Sequence, residues 1–314
     1  MKVELGTRSF EFPSEDLQEL EASNNLLGDV EALRSQLERT GYLYLKNFHD
    51  RQEVLEARQK VLEYINATGQ EKFDDIEEGL LNERCGLGCV PFMEGKPVIT
   101  HSDAARKVLE GQRPFKFFQK LFGQDVATFD YKWLRAMHKR GFTGAHVDNV
   151  YMSRGTDKVL TMWTPFSDIT PDIGTLAVCE GSNQLNSFDK FQKTYGQLDV
   201  EAAKLNGTGW FTEDPWEISK QFGGVWKTAN YEAGDVLIFT LRTVHMSTVN
   251  LTSIARISCD TRWQPKDAKR DMRYFDCKEE TDSPQFGVWA KDSTVTTTHF
   301  HGVTIEELKH QWGM

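Results

Sequence analysis

Apolar positions in the first third of the chain fall at helical spacing, and from about residue 126 they break into short runs of the strand type. Residues 29–39 carry Val30, Leu33 and Leu37, and residues 54–65 carry Val54, Leu55, Val61, Leu62 and Ile65. Steps of three and four predict amphipathic helices packed against a sheet. The whole stretch 13–64 reads as helical, and a further helix is expected over about 104–122. Between them, residues 80–102 hold three glycines, two prolines and Cys, Phe and Met side chains. That composition predicts a long ordered loop, and long loops in compact domains often bind ligands.

After Val126 the strand-type runs are 131–137, 145–152, 160–166, 175–179, 236–241, 245–250 and 256–263. Many short strands with turns between them favour a sandwich or barrel, jelly rolls included. In the last run, Arg256, Ser258, Asp260 and Arg262 share one face and Ile257, Cys259, Thr261 and Trp263 the other, because side chains alternate along a strand. Such a polar face lines either solvent or an internal cavity, and Arg256 favours the cavity. Residues 184–227 interrupt the strands with Trp210, Phe211, Trp216 and Trp226. These aromatics either pack an insertion onto the sheets or form an apolar lid and substrate wall.

At 314 residues, with no Pro/Gly/Ser-rich linker and no repeat, one domain is expected. A net charge of −10 argues against nucleic acid and anionic membranes as partners. The five cysteines, Cys85, Cys89, Cys179, Cys259 and Cys277, show no paired metal-binding spacing and read as free thiols in a reducing compartment. Without an apolar signal core, a membrane-length run or a peroxisomal tripeptide, a cytoplasmic location is expected.

The candidate chemistry centres on His146-Val147-Asp148 and a distant His245. Ligand-type residues at i and i+2 of a strand point to one side and reach one metal together. Two histidines and one carboxylate leave half of the ion's coordination sphere open, the arrangement of non-heme Fe(II) oxygenases. Arg256 follows His245 by 11 residues. A permanently charged, bidentate guanidinium a hairpin's length from the last ligand suits a dicarboxylate co-substrate, so the set reads as Fe(II) plus 2-oxoglutarate.

With these motifs the chain resembles the phytanoyl-CoA dioxygenase family of Fe(II)/2-oxoglutarate-dependent oxygenases. The similar stretches are 144–151, 161–168 (TMWTPFSD), 174–183 (GTLAVCEGSN) and 234–256 (GDVLIFTLRTVHMSTVNLTSIAR), in the family's order. The resemblance implies a mainly β fold with packed helices, a double-stranded β-helix (cupin-like jelly roll) with an N-terminal helical layer. The expected parts are a helical portion over about 1–125, a jelly-roll core over about 126–265 with the insertion at about 184–227, and a C-terminal extension over 266–314. It also implies Fe(II) on His146, Asp148 and His245, and O2 and 2-oxoglutarate as co-substrates, with ascorbate supportive in vitro. Arg256 and Ser247 would hold the remote carboxylate, with Trp163 beside it. Ser247 reads equally as an ordinary strand serine, and Trp163 as a core residue.

Halogenases of the family have a small residue in place of the carboxylate ligand, so Asp148 favours hydroxylation of a small molecule. Desaturation, cyclisation and non-catalytic metal binding remain the alternatives. Glu180-Gly181-Ser182-Asn183 replaces the usual Pro-Gly-Ser/Thr-His turn, and Val147 replaces a frequent glutamine. Phytanoyl-CoA itself is not expected as substrate, because coenzyme A phosphates call for clustered Lys and Arg. Arg135, Asn149 and Tyr151 are candidates for the substrate pocket, Arg135 with an internal salt bridge as its alternative. His299-Phe300-His301 has metal-like spacing but lies beyond the matching strands. His49, His101, His138 and His310 have no companion ligands.

Overall fold

The computed structural model describes residues 1–68, 72–85, 93–275 and 302–314, and the backbone of 298–299. The chain opens with β1 (Lys2–Leu5), β2 (Arg8–Glu11), β3 (Leu17–Glu19), α1 (Val30–Thr40), β4 (Tyr42–Leu45) and α2 (Arg51–Ala67). Next come β5 (Phe73–Asp75), β6 (Leu80–Leu81), α3 (Pro97–Thr100), α4 (Asp103–Leu109) and α5 (Gln112–Phe122). The middle of the chain supplies β7 (Val126–Thr128), β8 (Trp133–Met137), α6 (Asn149–Met152), β9 (Leu160–Pro165) and β10 (Leu176–Glu180). After α7 (Asp189–Lys193), β11 (Asn206–Gly207) and α8 (Pro215–Phe222) come β12 (Val225–Thr228), β13 (Val236–Thr240), β14 (His245–Ser247) and β15 (Arg256–Pro265). β16 (Thr298–His299) and α9 (Ile305–Trp312) follow.

Two sheets carry the architecture, and they do not close into a barrel. The larger runs β4-β13-β9-β15-β7, with β8 also paired to β15, and the smaller runs β14-β10-β12-β3. Tyr42, Tyr44, Trp163, Leu237 and Phe239 of the larger sheet pack with Leu176 and Val178 of the smaller, so one core lies between the sheets. The other face of the larger sheet is covered by helices: Leu33, Leu37, Phe118 and Leu121 meet Leu43, Leu45, Met162, Ile238 and Trp263. There the Trp263 ring stacks on Phe118 at 4.6 Å between centroids. Val54, Val61 and Leu109 likewise cover Leu134, Ile257 and Cys259. All ten residues of β15 are buried. Its apolar face lies under the helices, and its polar face turns to the space between the sheets, where Arg262 meets Asp148.

The helical reading of residues 13–64 is corrected, because β3 and β4 lie inside it and a hairpin precedes it. α1 is capped by Asp29, whose carboxylate accepts from the N–H groups of Glu31 and Ala32. It ends at Gly41, whose φ of 84° is a left-handed turn that glycine adopts without strain. The following Tyr-Leu-Tyr-Leu run is buried on both faces, tyrosines inward and leucines under the helices. A run buried on both sides shows no alternation, so periodicity could not mark it as a strand. The stretch expected as one helix over 104–122 is two, α4 and α5, broken at Glu110-Gly111.

Two further expectations change. Residues 145–152 form no regular strand: Ala145 and His146 make single bridges, and Asn149–Met152 is a short helix. The expected insertion ends in β12, a strand between β10 and β3, so Trp226 and Lys227 belong to the smaller sheet. Phe211 and Trp226 are fully packed in the core. Part of the 80–102 loop, 86–92, lies outside the described residues, as do Cys89, Cys277, Phe300 and His301. Among the described residues, no helix is long and apolar enough to cross a membrane.

Candidate metal centre and anion pocket

His146 and His245 face each other through a reciprocal backbone pair, His146 N–H to His245 O at 3.0 Å and His245 N–H to His146 O at 2.9 Å. This bridge joins the chain entering α6 to β14. It puts the two imidazoles 4.1 Å apart between centroids without the continuous strand that the i, i+2 spacing had suggested. Each ring is fixed from behind, His146 Nδ1 by the Gly144 carbonyl at 2.8 Å and His245 Nδ1 by the Thr243 carbonyl at 3.0 Å. With the proton on Nδ1, Nε2 keeps its lone pair, as an orienting carbonyl does for a metal-binding histidine. The two Nε2 atoms lie 3.9 and 3.8 Å from Asp148 Oδ1. One potential ligand atom from each residue lies within 4.8 Å of the others. Bonds of about 2.0–2.2 Å to a common ion span such distances.

Electrostatics favour the ligating state of each group. Burial, with His245 nearby, pushes His146 down to about 3, and burial lowers His245 as well, so both rings are neutral at physiological pH. Burial would raise Asp148, but Arg262 and the other groups around its carboxylate outweigh that and hold it low. Arg262 Nη2 lies 3.1 Å from Asp148 Oδ2, which also accepts the Thr161 hydroxyl at 2.5 Å. Oδ2 is thereby engaged by the protein, and Oδ1 faces the imidazoles. Thr161→Val is expected to weaken Fe(II) binding about 10- to 100-fold, the usual loss when a ligand's hydrogen-bonding partner is removed. Anaerobic Fe(II) titration of the folded variant checks this.

Arg256 is 3 % exposed and makes no ion pair with a carboxylate among the described residues. Its guanidinium donates to Ser258 Oγ and approaches Met137 Sδ, and its buried Nε has no hydrogen-bond partner. Burial and the neighbouring Arg135 lower it to about 9, so it remains charged at neutral pH. Ser247 is buried on β14, and its oxygen accepts the Thr143 N–H at 2.8 Å. Among the described residues it donates its own proton to no acceptor. Trp163 packs against Tyr231 at 4.9 Å and shares its strand face with Thr161. The remaining polar donors between the sheets thus include a lone cation and a serine hydroxyl, which suits a carboxylate ligand.

The substrate-pocket candidates are already engaged. For Arg135 the structure shows the internal salt-bridge alternative: it is the centre of an ion-pair network, 2.6 Å from Glu94 and 2.5 Å from Asp260. An arginine in apolar surroundings takes internal carboxylates when they are in reach. Arg135→Met is therefore expected to cost about 3–5 kcal/mol in stability, because it leaves Glu94 buried without its partner and Asp260 with Arg262 alone, at 3.8 Å. Chemical denaturation measures the loss. Asn149 donates to the Gly196 carbonyl at 2.7 Å, which fixes α6 in place. The Tyr151 hydroxyl donates to the Thr208 carbonyl at 2.8 Å, while its ring stands edge-on to His146 at 5.7 Å.

Thr161 and Arg262 escaped the sequence reading as partners of Asp148. They are directly opposite one another across β9 and β15. Strand register makes that pairing, and no local motif reveals it.

The buried His146–Asp148–His245 set, with Arg256 on the strand face that also carries Asp148's partner Arg262, fits a metal-dependent oxygenase of the iron and 2-oxoglutarate class. The chain belongs to the phytanoyl-CoA dioxygenase (PhyH) family, whose model matches residues 37–258. A curated relative, the 1-deoxypentalenic acid 11-beta-hydroxylase of Streptomyces exfoliatus, is 23% identical over 268 residues, covering 78% of this chain and 84% of its own. Among solved structures, the epimerase SnoN in complex with Fe3+, alpha ketoglutarate and nogalamycin RO aligns with a TM-score of 0.53 at 18% identity. That alignment covers 88% of this chain and 95% of SnoN. The carbocyclase SnoK from nogalamycin biosynthesis aligns with a TM-score of 0.51 at 18% identity, covering 76% and 84%.

Proposed function

We propose that the chain hydroxylates a C–H bond of a small molecule, consuming 2-oxoglutarate and O2 and releasing succinate and CO2, with the sheets as a double-stranded β-helix core and helices layered outside. The observation that carries this reading is the pairing of a buried, ion-ready His146–Asp148–His245 set with Arg256, a buried cation that lacks a carboxylate. Iron bound with 2-oxoglutarate supplies the activation of O2 for C–H oxidation.

The protein's own contributions are positional. Gly144 and Thr243 carbonyls aim the two imidazoles, and Thr161 and Arg262 hold Asp148 ionised with one oxygen free. Arg256 and the Ser247 hydroxyl take the remote carboxylate of 2-oxoglutarate, which fixes the end of the molecule away from the metal. Trp163 forms an apolar wall between the sheets. The Tyr151 ring, edge-on to His146, forms part of the substrate wall. Desolvation of all three ligands keeps bulk water from competing for the metal.

The relatives' names favour a small organic molecule such as a carboxylic acid as substrate and keep a second reading open. The curated relative is named a hydroxylase, whereas the solved neighbours are an epimerase and a carbocyclase. Cys179 and Cys259 are free thiols, which is in keeping with a reducing, cytoplasmic setting.

The test is a screen of small organic molecules, carboxylic acids first, with Fe(II), ascorbate and 2-oxoglutarate under 18O2, reading succinate and product mass. Substrate-dependent succinate with one labelled oxygen in the product supports hydroxylation. Loss of two hydrogens supports desaturation or ring closure, and unchanged mass with altered stereochemistry supports epimerisation. Succinate no higher than in His146→Ala for every compound sinks the catalytic reading in favour of a non-catalytic binder.

A further inference from the structure

Residues 208–212, between β11 and α8, run beside the chain that enters the metal centre. The Ala145 N–H donates to the Thr212 carbonyl at 2.8 Å, and the Phe211 N–H donates to the Ala145 carbonyl at 2.8 Å. This bridge sets Trp210 against Gly144, two residues before His146.

Gly144 is buried, and the Trp210 ring fills the space that a side chain at 144 would need. A Cβ there would lie 2.6 Å from Trp210 Cε3 and 2.8 Å from Cδ2. Gly144 is not at positive φ, so space and not backbone conformation demands glycine at this position. Its carbonyl is the group that fixes His146 Nδ1 at 2.8 Å. The indole therefore backs the peptide that aims a metal ligand.

The ring is itself held from its own backbone. On one side the Gly209 carbonyl accepts the Tyr195 hydroxyl at 2.6 Å, and on the other the Phe211 side chain is buried in the core. The Trp210 N–H donates to Thr208 Oγ1 at 3.2 Å. The same segment secures a second neighbour of His146, because the Thr208 carbonyl accepts the hydroxyl of Tyr151, whose ring stands edge-on to the imidazole. The carbonyl behind His146 and the ring beside it thus both depend on residues 208–212. Trp216, also half-buried in the insertion, packs instead on Phe10 of β2 at 5.1 Å and provides a control for packing alone.

We propose that Trp210 is a positioning residue for His146: its ring holds the Gly144 peptide so that the carbonyl keeps the imidazole proton on Nδ1 and Nε2 turned to the metal position. Trp210 has this role only if His146, Asp148 and His245 are the iron ligands, as proposed above. Glycine has the greatest backbone freedom of any residue, so without the ring this peptide can turn and its carbonyl can leave Nδ1. Groups that orient a ligating histidine typically contribute about 10- to 100-fold to metal affinity.

The test is a Co(II) titration of the full chain, read by visible d–d absorption, with 15N NMR of the histidine rings in the apo protein and denaturant unfolding alongside. Wild type is expected to bind saturably, and Trp210→Ala about tenfold or more weakly. Gly144→Ala, which keeps the indole but forces it away, should weaken binding in the same direction. Trp210→Phe, which leaves a ring on Gly144, should bind within about threefold of wild type. Trp216→Ala should lose stability and keep its Co(II) affinity. In the apo protein, the His146 ring should be the Nδ1–H tautomer in wild type and a mixture in Trp210→Ala. The proposal is overturned by wild-type affinity and tautomer in Trp210→Ala, by a phenylalanine no better than alanine, or by an equal loss of affinity in Trp216→Ala. Equal Co(II) binding by wild type and His146→Ala would instead show that the ligand assignment is wrong, and Trp210 would lose its role with it.

Discussion

Asp148→Ala is expected to remove turnover and stability together, and adding Arg262→Met is expected to restore only the stability. Asp148 offers one oxygen to the metal position and the other to Thr161 and Arg262. Losing a metal ligand should lower 2-oxoglutarate turnover by on the order of 10^3-fold, equivalent to about 4 kcal/mol of transition-state stabilisation. The stability loss has a different origin. The Arg262 side chain is 3% exposed, and its other carboxylate neighbour, Asp260, is 3.8 Å away and also serves Arg135. Removing Asp148 strands a buried guanidinium, which typically costs about 3–5 kcal/mol. Methionine at 262 would remove that charge while keeping apolar contact with Trp133, over whose ring Arg262 lies at 4.4 Å. Denaturant unfolding of the apo proteins and succinate formation read the two effects separately. If Asp148→Ala were as stable as wild type, the Asp148–Arg262 pairing would not have the importance assigned to it here.

The second large effect is opposite in sign for the apo protein. Arg256→Met is expected to raise the KM for 2-oxoglutarate about 100-fold while leaving the free protein as stable as wild type or more so. The guanidinium is buried without a carboxylate, its Nε is unpaired, and Arg135 repels it. A buried charge in that condition is a cost to folding, so an apolar replacement of similar length should relieve it. The same charge becomes favourable only when a carboxylate arrives, and losing such a contact costs about 2–5 kcal/mol in binding. Initial rates against 2-oxoglutarate concentration, paired with denaturation of the apo variant, measure both. A raised KM with a fall in stability would mean that Arg256 has an internal structural role.

The donor types of the site were legible in the sequence, and their support was not. His146, Asp148 and His245 stand in a short motif and a matching distant segment, and the alternation in residues 256–263 separated a polar face from an apolar one. Both features are local or periodic. The strand expected to carry His146 and Asp148 instead dissolves into a bridge and a short helix, because His146 is held by His245 across the chain. An internal salt bridge was foreseen as an alternative for Arg135, but its partners were not, because Glu94, 41 residues earlier, and Asp260, 125 residues later, come to it only through tertiary packing. Arg262 and Thr161 were hidden for the same reason, being joined by strand register. In the fold, single-faced helices such as α1 and α2 were readable, whereas β4, covered on both sides, carried no alternation. β3 was hidden because its partner, β12, lies some 200 residues downstream.

The most direct measurement is an anaerobic titration of Fe(II)-loaded protein with 2-oxoglutarate, watched for the visible metal-to-ligand charge-transfer absorption. Wild type should develop the band with saturable dependence on 2-oxoglutarate, and Arg256→Met should need about 100-fold more to reach the same intensity. A folded, iron-loaded wild type that gives no band, or an Arg256→Met variant with an unchanged titration, would contradict a 2-oxoglutarate site built from His146, Asp148, His245 and Arg256.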